Sequence, residues 1–169
     1  MAITRSKAKG RREGGNFAVL PHAVINSQNF MQASGFAIKL LMQMMAQLRF
    51  EKDGGTKNNG DLCVSWSLMK NRGWRSKSTL QRAREELLYY GFIEQTRQGL
   101  TLVKGVPNLY AVTFLAIDEC KGKLDVAPTR KPSGRWKIEK ALYKPPDKKS
   151  VRIKPISAPT EQSAEHKRR

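Results

Sequence analysis

The chain has 169 residues, and because 32 of them are Lys or Arg and 14 are Asp or Glu, its formal net charge is +18. Apolar residues make up 39% of the chain, which is enough for the core of one domain of ordinary size. No apolar run reaches the roughly 18 residues of a membrane-spanning helix, and the two cysteines are too few for a disulfide-stapled secreted domain. The composition therefore favours a cytoplasmic protein with a polyanionic partner and no membrane association.

Most of the excess positive charge lies near the two ends of the chain. Residues 1–15 carry a net charge of +4 and residues 128–169 a net charge of +9, which leaves +5 for the residues between them. Apolar residues are sparse in both end segments, and six of the eight prolines fall in the second. Because such segments bury too little apolar area to offset their chain entropy, we predict disordered basic N- and C-terminal arms over residues 1–15 and 121–169. Within the second arm, Gly134–Tyr143 has the composition of a short transient helix.

The part between the arms, residues 16–120, is expected to fold as one domain. Ser34–Leu48 repeats apolar side chains at helical spacing, which predicts a helix at the centre of the core. Asp61–Val64 is predicted to be a short strand. The methionines of the first helix are interpreted as core filling rather than as ligands: Met42, Met44 and Met45.

Two more helices are predicted around a tight turn. The first covers Trp66–Asn71, and Gly73 suits the left-handed residue that ends such a helix, before Trp74 enters the core. The second begins at Ser78, which precedes Gln81 by the spacing of a capping box. It repeats apolar residues on one face until a glycine ends it: Leu80, Ala83, Leu87, Tyr90 and Gly91.

Two strands, Phe92–Arg97 and Asn108–Phe114, complete the pattern as a β-hairpin with a long turn. The order of elements is helix, short strand, helix, turn, helix and hairpin. This order predicts an α+β fold of the winged helix-turn-helix type, with three helices and a β-hairpin wing.

Positive charge within the predicted domain is concentrated over the turn and the start of the third helix. Six basic residues and no acid lie between Lys70 and Arg84. In a helix-turn-helix the first residues of this helix meet base edges in the major groove, while neighbouring cations hold phosphates. The predicted DNA-binding residues of this region are Lys70, Arg72, Arg75, Lys77, Ser78, Thr79, Gln81 and Arg82.

Three further basic residues receive separate interpretations. Arg84 is expected to face the packed side and to reach Asp61 or Glu94. At the tip of the hairpin, Arg97 and Lys104 are predicted to lie along the DNA backbone.

The run RGWRSKSTLQRAREELLYYGFIE (Arg72–Glu94) resembles the recognition half of bacterial winged-helix proteins, including GntR-type and MarR-type regulators. The wider stretch, from Asn58 to Ile93 and then PNLYAVTFLAIDE (Pro107–Glu119), is similar to winged-helix proteins of phages, plasmids and other mobile elements. Some of these are N-terminal origin-binding domains of replication proteins. The resemblance implies sequence-specific binding of double-stranded DNA, read by Lys77–Arg82, in a transcription regulator or replication initiator of the bacterial cytoplasm or nucleoid.

No catalytic or cofactor chemistry is predicted. His22 and His166 are far apart in the chain, and Cys63 and Cys120 do not form a zinc motif. No glycine-rich segment precedes the Lys-Ser/Thr pair of a P-loop. We therefore expect a protein that is not an enzyme and that uses no metal or cofactor.

Two other functions stay open at this point. An RNA-binding or ribosome-associated basic protein is the main alternative, because basic tails suit RNA equally well. An adaptor that docks an acidic protein partner is another. A homodimer, and contact with the replication or transcription machinery, are also left open.

Overall fold

The computed structural model describes residues 17–51, 55–100 and 105–146. The predicted basic arm over residues 1–15, Lys104 of the hairpin tip and the predicted tail beyond Pro146 lie outside these ranges. Within them the chain is a mixture of helices and one small antiparallel sheet, which confirms the predicted α+β class.

Five α-helices and three β-strands form in the described ranges. The helices are α1 (His22–Ile25), α2 (Gln28–Gln32), α3 (Gly35–Met45), α4 (Trp66–Lys70) and α5 (Lys77–Tyr89). The strands are β1 (Leu62–Cys63), β2 (Ile93–Arg97) and β3 (Leu109–Val112). None of the described helices has the length and apolarity needed to cross a lipid bilayer.

Helix α3 lies at the centre of the core, as its apolar spacing predicts. Ser34 caps it, because the Ser34 Oγ accepts a hydrogen bond from the Ala37 N–H at 3.2 Å. The helix ends at Met45, before the predicted Leu48. Core filling is confirmed for two of the three methionines: Met44 and Met45 are buried, whereas Met42 is 38% exposed.

Helix α5 begins at Lys77, so the predicted cap at Ser78 is wrong. Ser76 is the N-cap: its backbone is extended, and its Oγ accepts a hydrogen bond from the Thr79 N–H at 3.3 Å. Ser78 already lies in the first helical turn, with its Oγ 2.9 Å from the Ser76 Oγ. The helix therefore starts two residues earlier than the capping-box spacing suggests, because the hydroxyl of Ser76 takes up the Thr79 N–H.

The sheet has the strand order β1-β3-β2, with both pairs antiparallel. Leu62 pairs with Tyr110 on one side of β3, and Gln95 pairs with the same Tyr110 on the other. A bulge between Gln95 and Arg97 shifts the register, and the Thr96 hydroxyl there donates to the Gly60 carbonyl at 2.6 Å. All four β3 side chains are buried, so this central strand is covered on both faces.

The chain after the sheet packs against the domain, in contrast to the expected mostly disordered tail. We call residues 133–146 the strap. Only a single 3-10 turn, Arg135–Lys137, forms where a transient helix over Gly134–Tyr143 was expected. Trp136 and Tyr143 of the strap pack against the core, and the Asn29 side-chain amide donates hydrogen bonds to the strap backbone. Contacts with the domain therefore hold the strap in place of the hydrogen bonds of a helix.

A buried asparagine holds the end of β3. Asn59 is fully buried, and its side-chain Nδ2 donates to the carbonyls of Leu115 and Ala116 at 3.2 and 2.8 Å. Its Oδ1 accepts a hydrogen bond from the Val112 N–H at 2.9 Å. One amide thus satisfies backbone groups where the ladder of the sheet ends and water does not reach.

We expect the Asn59→Ala variant to lower the free energy of unfolding by about 3 kcal/mol, because several buried backbone groups lose their partner together. Thermal and urea unfolding followed by circular dichroism measure this loss. Asn71→Ala is the matched control, since the exposed Asn71 side chain makes no hydrogen bond within the described ranges. Equal stability of the two variants would contradict the assignment.

Candidate nucleic-acid interface

The turn between α4 and α5 is built on one glycine and one tryptophan. Gly73 has φ +83°, a left-handed conformation that favours glycine, as predicted. The Arg72 and Trp74 N–H groups both donate to the Met69 carbonyl, at 2.9 and 3.2 Å. Trp74 is only 4% exposed, which confirms it as a core residue. These hydrogen bonds to the Met69 carbonyl close the turn just before α5 begins.

Gln43 of α3 grips this turn from the core side. Its Oε1 accepts a hydrogen bond from the Trp74 Nε1–H at 2.7 Å, and its Nε2 donates to the Arg72 carbonyl at 3.0 Å. The Arg72 Nη1 in turn donates to the Gln43 carbonyl at 3.0 Å. Arg72, predicted to contact DNA, is thus turned toward α3 and is engaged in holding the turn.

Glu86 ties α5 to the other end of α3. Its side chain is only 7% exposed, and its two oxygens accept hydrogen bonds from the Ser34 N–H and hydroxyl at 2.7 and 2.6 Å. A carboxylate placed at a helix N-terminus also interacts favourably with the free amides of that helix. Residue spacing along α5 places Glu86 near the inner face but does not show this partner.

The remaining basic residues of the turn and of the first turns of α5 are exposed. We call the polar residues of this segment the α5 face: the exposed Lys70, Arg75, Lys77, Ser78, Gln81 and Arg82 together with half-buried Thr79. Four ion pairs form within the described ranges, and none of them involves Lys70, Arg75, Lys77 or Arg82. The α5 face therefore carries cations that no carboxylate of the described domain neutralises.

Two side chains of the α5 face have local partners that fix their position. The Lys77 Nζ lies 5.9 Å from the centre of the Trp66 ring, a cation–π contact across the start of α5. The Gln81 Nε2 donates to Glu85 Oε1 at 2.8 Å, which leaves the Gln81 oxygen and the second N–H free for a ligand.

Arg84 does not reach Asp61 or Glu94, so that prediction is wrong. Those carboxylates pair instead with Lys123, at 2.6 Å, and with Arg135, at 3.4 Å. Lys123 and Arg135 lie in the chain after β3, and they pair with the two carboxylates that were predicted to pair with Arg84. The Arg84 Nη2 lies 4.0 Å from the Glu85 Oε1 on its own helix.

The hairpin contributes one of its two predicted residues to the described structure. Arg97 is half-buried, and its Nη2 donates to the Pro107 carbonyl at 3.1 Å across the base of the hairpin. Next to it, the backbone closes so tightly that a Cβ on Gly99 would lie 2.6 Å from the Asn108 nitrogen. Arg97 thus braces the base of the hairpin and is not joined to the α5 face by any described contact.

Sequence reasoning missed Lys39 and Tyr143. The Lys39 Nζ lies 5.3 Å from the Trp74 ring centre and 3.4 Å from the Gly73 carbonyl, which adds a cation beside the turn. The Tyr143 hydroxyl of the strap lies 3.5 Å from Glu85 Oε2. Burial, followed by the charges of Glu85 and Glu86, raises the pKa of Tyr143, so its hydroxyl stays a hydrogen-bond donor. Both residues reach the site from distant parts of the sequence, so no local pattern marks them.

Other chemistry is sparse in the described ranges. No three His, Cys, Asp or Glu side chains converge there to hold a metal ion. Cys63 and Cys120 are free thiols, and burial together with the charges of Asp61 and Asp118 raises the pKa of Cys120.

In comparisons with models of protein families, with curated proteins and with solved structures, nothing matches this chain.

We expect the Gln43→Ala variant to lower the free energy of unfolding by about 2 kcal/mol, because the buried Trp74 N–H loses its acceptor. The same change should increase amide hydrogen exchange at Arg72–Trp74, where the turn is gripped. Gln28→Ala, on an exposed position of α2, is the control that should change neither quantity. Unchanged exchange in the turn of the Gln43 variant would show that α3 does not hold it.

Proposed function

We propose that this protein binds double-stranded DNA sequence-specifically, as a winged helix-turn-helix with the start of α5 in the major groove. The observation that carries the proposal is the α5 face: unpaired cations and amide or hydroxyl side chains on a helix start that α3 holds rigidly. Cations supply contacts to phosphates, and Gln, Ser and Thr side chains at the start of a helix are suited to base edges.

The order of elements supports the helix-turn-helix assignment. Helices α3, α4 and α5 are followed by the β2–β3 hairpin, and the short β1 strand pairs with β3 to complete the sheet. In such an arrangement the hairpin is the wing, which lies along the DNA backbone. We propose that Arg97 holds the base of the wing and that Lys104 contacts phosphate at its tip.

The backbone at the start of α5 also supports the proposed contact with DNA. Its first turn contains no acidic residue, and Ser76 satisfies only the Thr79 N–H. The other free amides and the helix dipole favour a phosphate near this end. Arg72 is left out of the proposed contact set because its guanidinium is bonded to the Gln43 carbonyl.

Burial of the aromatic side chains favours DNA over single-stranded RNA. RNA-binding sheets stack bases on exposed aromatic rings. Here Phe92, Tyr110 and Phe114, the aromatic residues in and beside the hairpin strands, are all buried. The described sheet therefore offers no exposed ring on which a base could stack.

We further propose a role as a transcription regulator or replication initiator of a phage, plasmid or other mobile element, acting by occupying its site and not by catalysis. This part rests on the resemblance of Arg72–Glu94 and its surroundings to winged-helix proteins of such elements. A homodimer and recruitment of the replication or transcription machinery belong to the same proposal.

The test is duplex binding by fluorescence anisotropy with a double variant, Lys77→Ala/Arg82→Ala. We expect binding to weaken about tenfold or more at about 0.15 M salt, and the negative slope of log K against log salt to become shallower by about 2. Arg130→Ala/Lys131→Ala is the control: it removes the same charge from exposed residues of the segment that bonds to Ile117, after β3. Equal losses in both variants would overturn the proposed site.

A folded RNA competitor of equal charge separates DNA from RNA binding. We expect it to displace the labelled duplex far less effectively than unlabelled duplex does. Displacement by RNA at equal or lower concentration would overturn the DNA proposal in favour of an RNA-binding protein.

A further inference from the structure

The strap is held across the domain by one buried side chain. Asn29 is 1% exposed, and its Nδ2 lies 2.8 Å from both the Trp136 and the Ile138 carbonyls of the strap. Its Oδ1 accepts a hydrogen bond from the Lys140 N–H at 2.9 Å. The amide of α2 thus binds the strap backbone much as a neighbouring β-strand would, which fixes its path.

The end of α5 is shaped to let the strap pass. Gly91 has φ +73°, and a Cβ at this position would lie 2.8 Å from the backbone carbon of Arg135. Further along, the Tyr143 N–H donates to the buried Tyr90 hydroxyl at 3.0 Å. Glycine at this helix end therefore serves both the left-handed conformation and the close approach of the strap.

The strap ends beside the α5 face. The Tyr143 ring lies 5.4 Å from that of Tyr89, and its hydroxyl lies 3.5 Å from Glu85, both on α5. A groove of about 370 Å³ is lined by Leu142, Tyr143 and Pro145 of the strap and by Thr79 and Arg82 of the α5 face. The last strap residues and the proposed DNA-contacting residues thus share one depression on the surface.

The strap carries cations that its own contacts do not use. Arg135 pairs with Glu94, and the Lys137 Nζ lies 5.7 Å from the Trp136 ring centre. Lys140 and Lys144 are exposed and form no ion pair within the described ranges. Lys144 lies in the chain between Tyr143 and Pro145, two residues that line the same groove as Arg82.

We propose that the strap is a second DNA-contacting element, in which Lys140 and Lys144 hold phosphates of the strand that flanks the groove occupied by α5. The inference rests on the proposed function and adds to it an element outside the winged helix. Lysine provides a positive charge but lacks the planar guanidinium with which arginine forms two hydrogen bonds to one base. The strap therefore contributes affinity and register rather than sequence preference. Asn29 and Tyr90 act as positioning residues for it.

The test is the Lys140→Ala/Lys144→Ala double variant of the full chain, measured against the Arg130→Ala/Lys131→Ala control. Since each phosphate contact contributes about −0.9 to the slope of log K against log salt, the strap variant should make this slope shallower by about 1.8 and leave relative affinities for different duplex sequences unchanged. The control should keep the slope of the unaltered chain. If the unaltered chain binds duplex DNA but the strap and control variants have the same slope, the strap proposal is overturned and the α5 proposal stands. If the unaltered chain does not bind duplex DNA, the proposed function itself fails, and the strap proposal fails with it.

A second pair of variants tests positioning without changing charge. Tyr90→Phe removes the hydroxyl that accepts the Tyr143 N–H, whereas Tyr89→Phe alters an exposed neighbour whose hydroxyl makes no hydrogen bond in the described ranges. We expect the Tyr90 variant to make the negative salt slope shallower by up to about 0.9, because Lys144 is no longer positioned, although every cation remains. Equal slopes for the two variants would show that the path of the strap does not set the contact.

Discussion

Helix α3 holds the α4–turn–α5 unit at two separate points, and the shape of the proposed binding surface depends on that grip. At the turn, Gln43 bonds to Trp74 and Arg72. At the N-terminus of α3, the Ser34 N–H and hydroxyl both donate to the carboxylate of Glu86, which lies in the second half of α5. Each contact joins a buried side chain, Trp74 or Glu86, to a polar partner on α3 or at its cap, so losing either one leaves a costly unpaired group. These contacts position the exposed start of α5 relative to the core, and under the proposed function this lowers the ordering cost of binding.

Two buried asparagines stabilise irregular parts of the domain. Each forms hydrogen bonds with backbone groups of segments that are distant in sequence. Asn59 does this for the chain that leaves β3, and Asn29 does it for the strap. A side-chain amide offers donors and an acceptor at fixed geometry, so it replaces the ladder of a sheet where no strand is available. These hydrogen bonds hold two segments that lie outside the helices and the hairpin, the chain after β3 and the strap. The strap hydrogen bonds also bring Leu142, Tyr143 and Pro145 of the strap next to Thr79 and Arg82 of the α5 face.

Much of the helix and strand pattern could be predicted from local sequence, because periodic burial and turn residues are local properties. Strands at Leu62–Cys63, Ile93–Arg97 and Leu109–Val112 lie inside the predicted segments, Gly73 has the predicted left-handed conformation, and Gly91 follows the end of α5 as predicted. The α5 cap lies at Ser76 and not at the predicted Ser78, since either serine is a suitable cap by residue type and the local pattern does not choose between them. The partners of Arg84 and the docking of the strap depended on contacts between residues far apart in the chain. Lys123 and Arg135 arrive from beyond the sheet, and no periodicity records their pairing with Asp61 and Glu94.

The central claim is that the α5 face reads sequence and does more than attract a polyanion. Selection of bound molecules from a random double-stranded library by the purified full chain, at about 0.15 M salt, tests this most directly, because non-specific binding is weakened there while base contacts persist. We expect an enriched motif of several base pairs, and substitution of a motif base pair should cost about 1–3 kcal/mol of binding free energy. Retention of duplex DNA with no enriched motif would contradict it, since the cations of the α5 face would then be acting through phosphates alone.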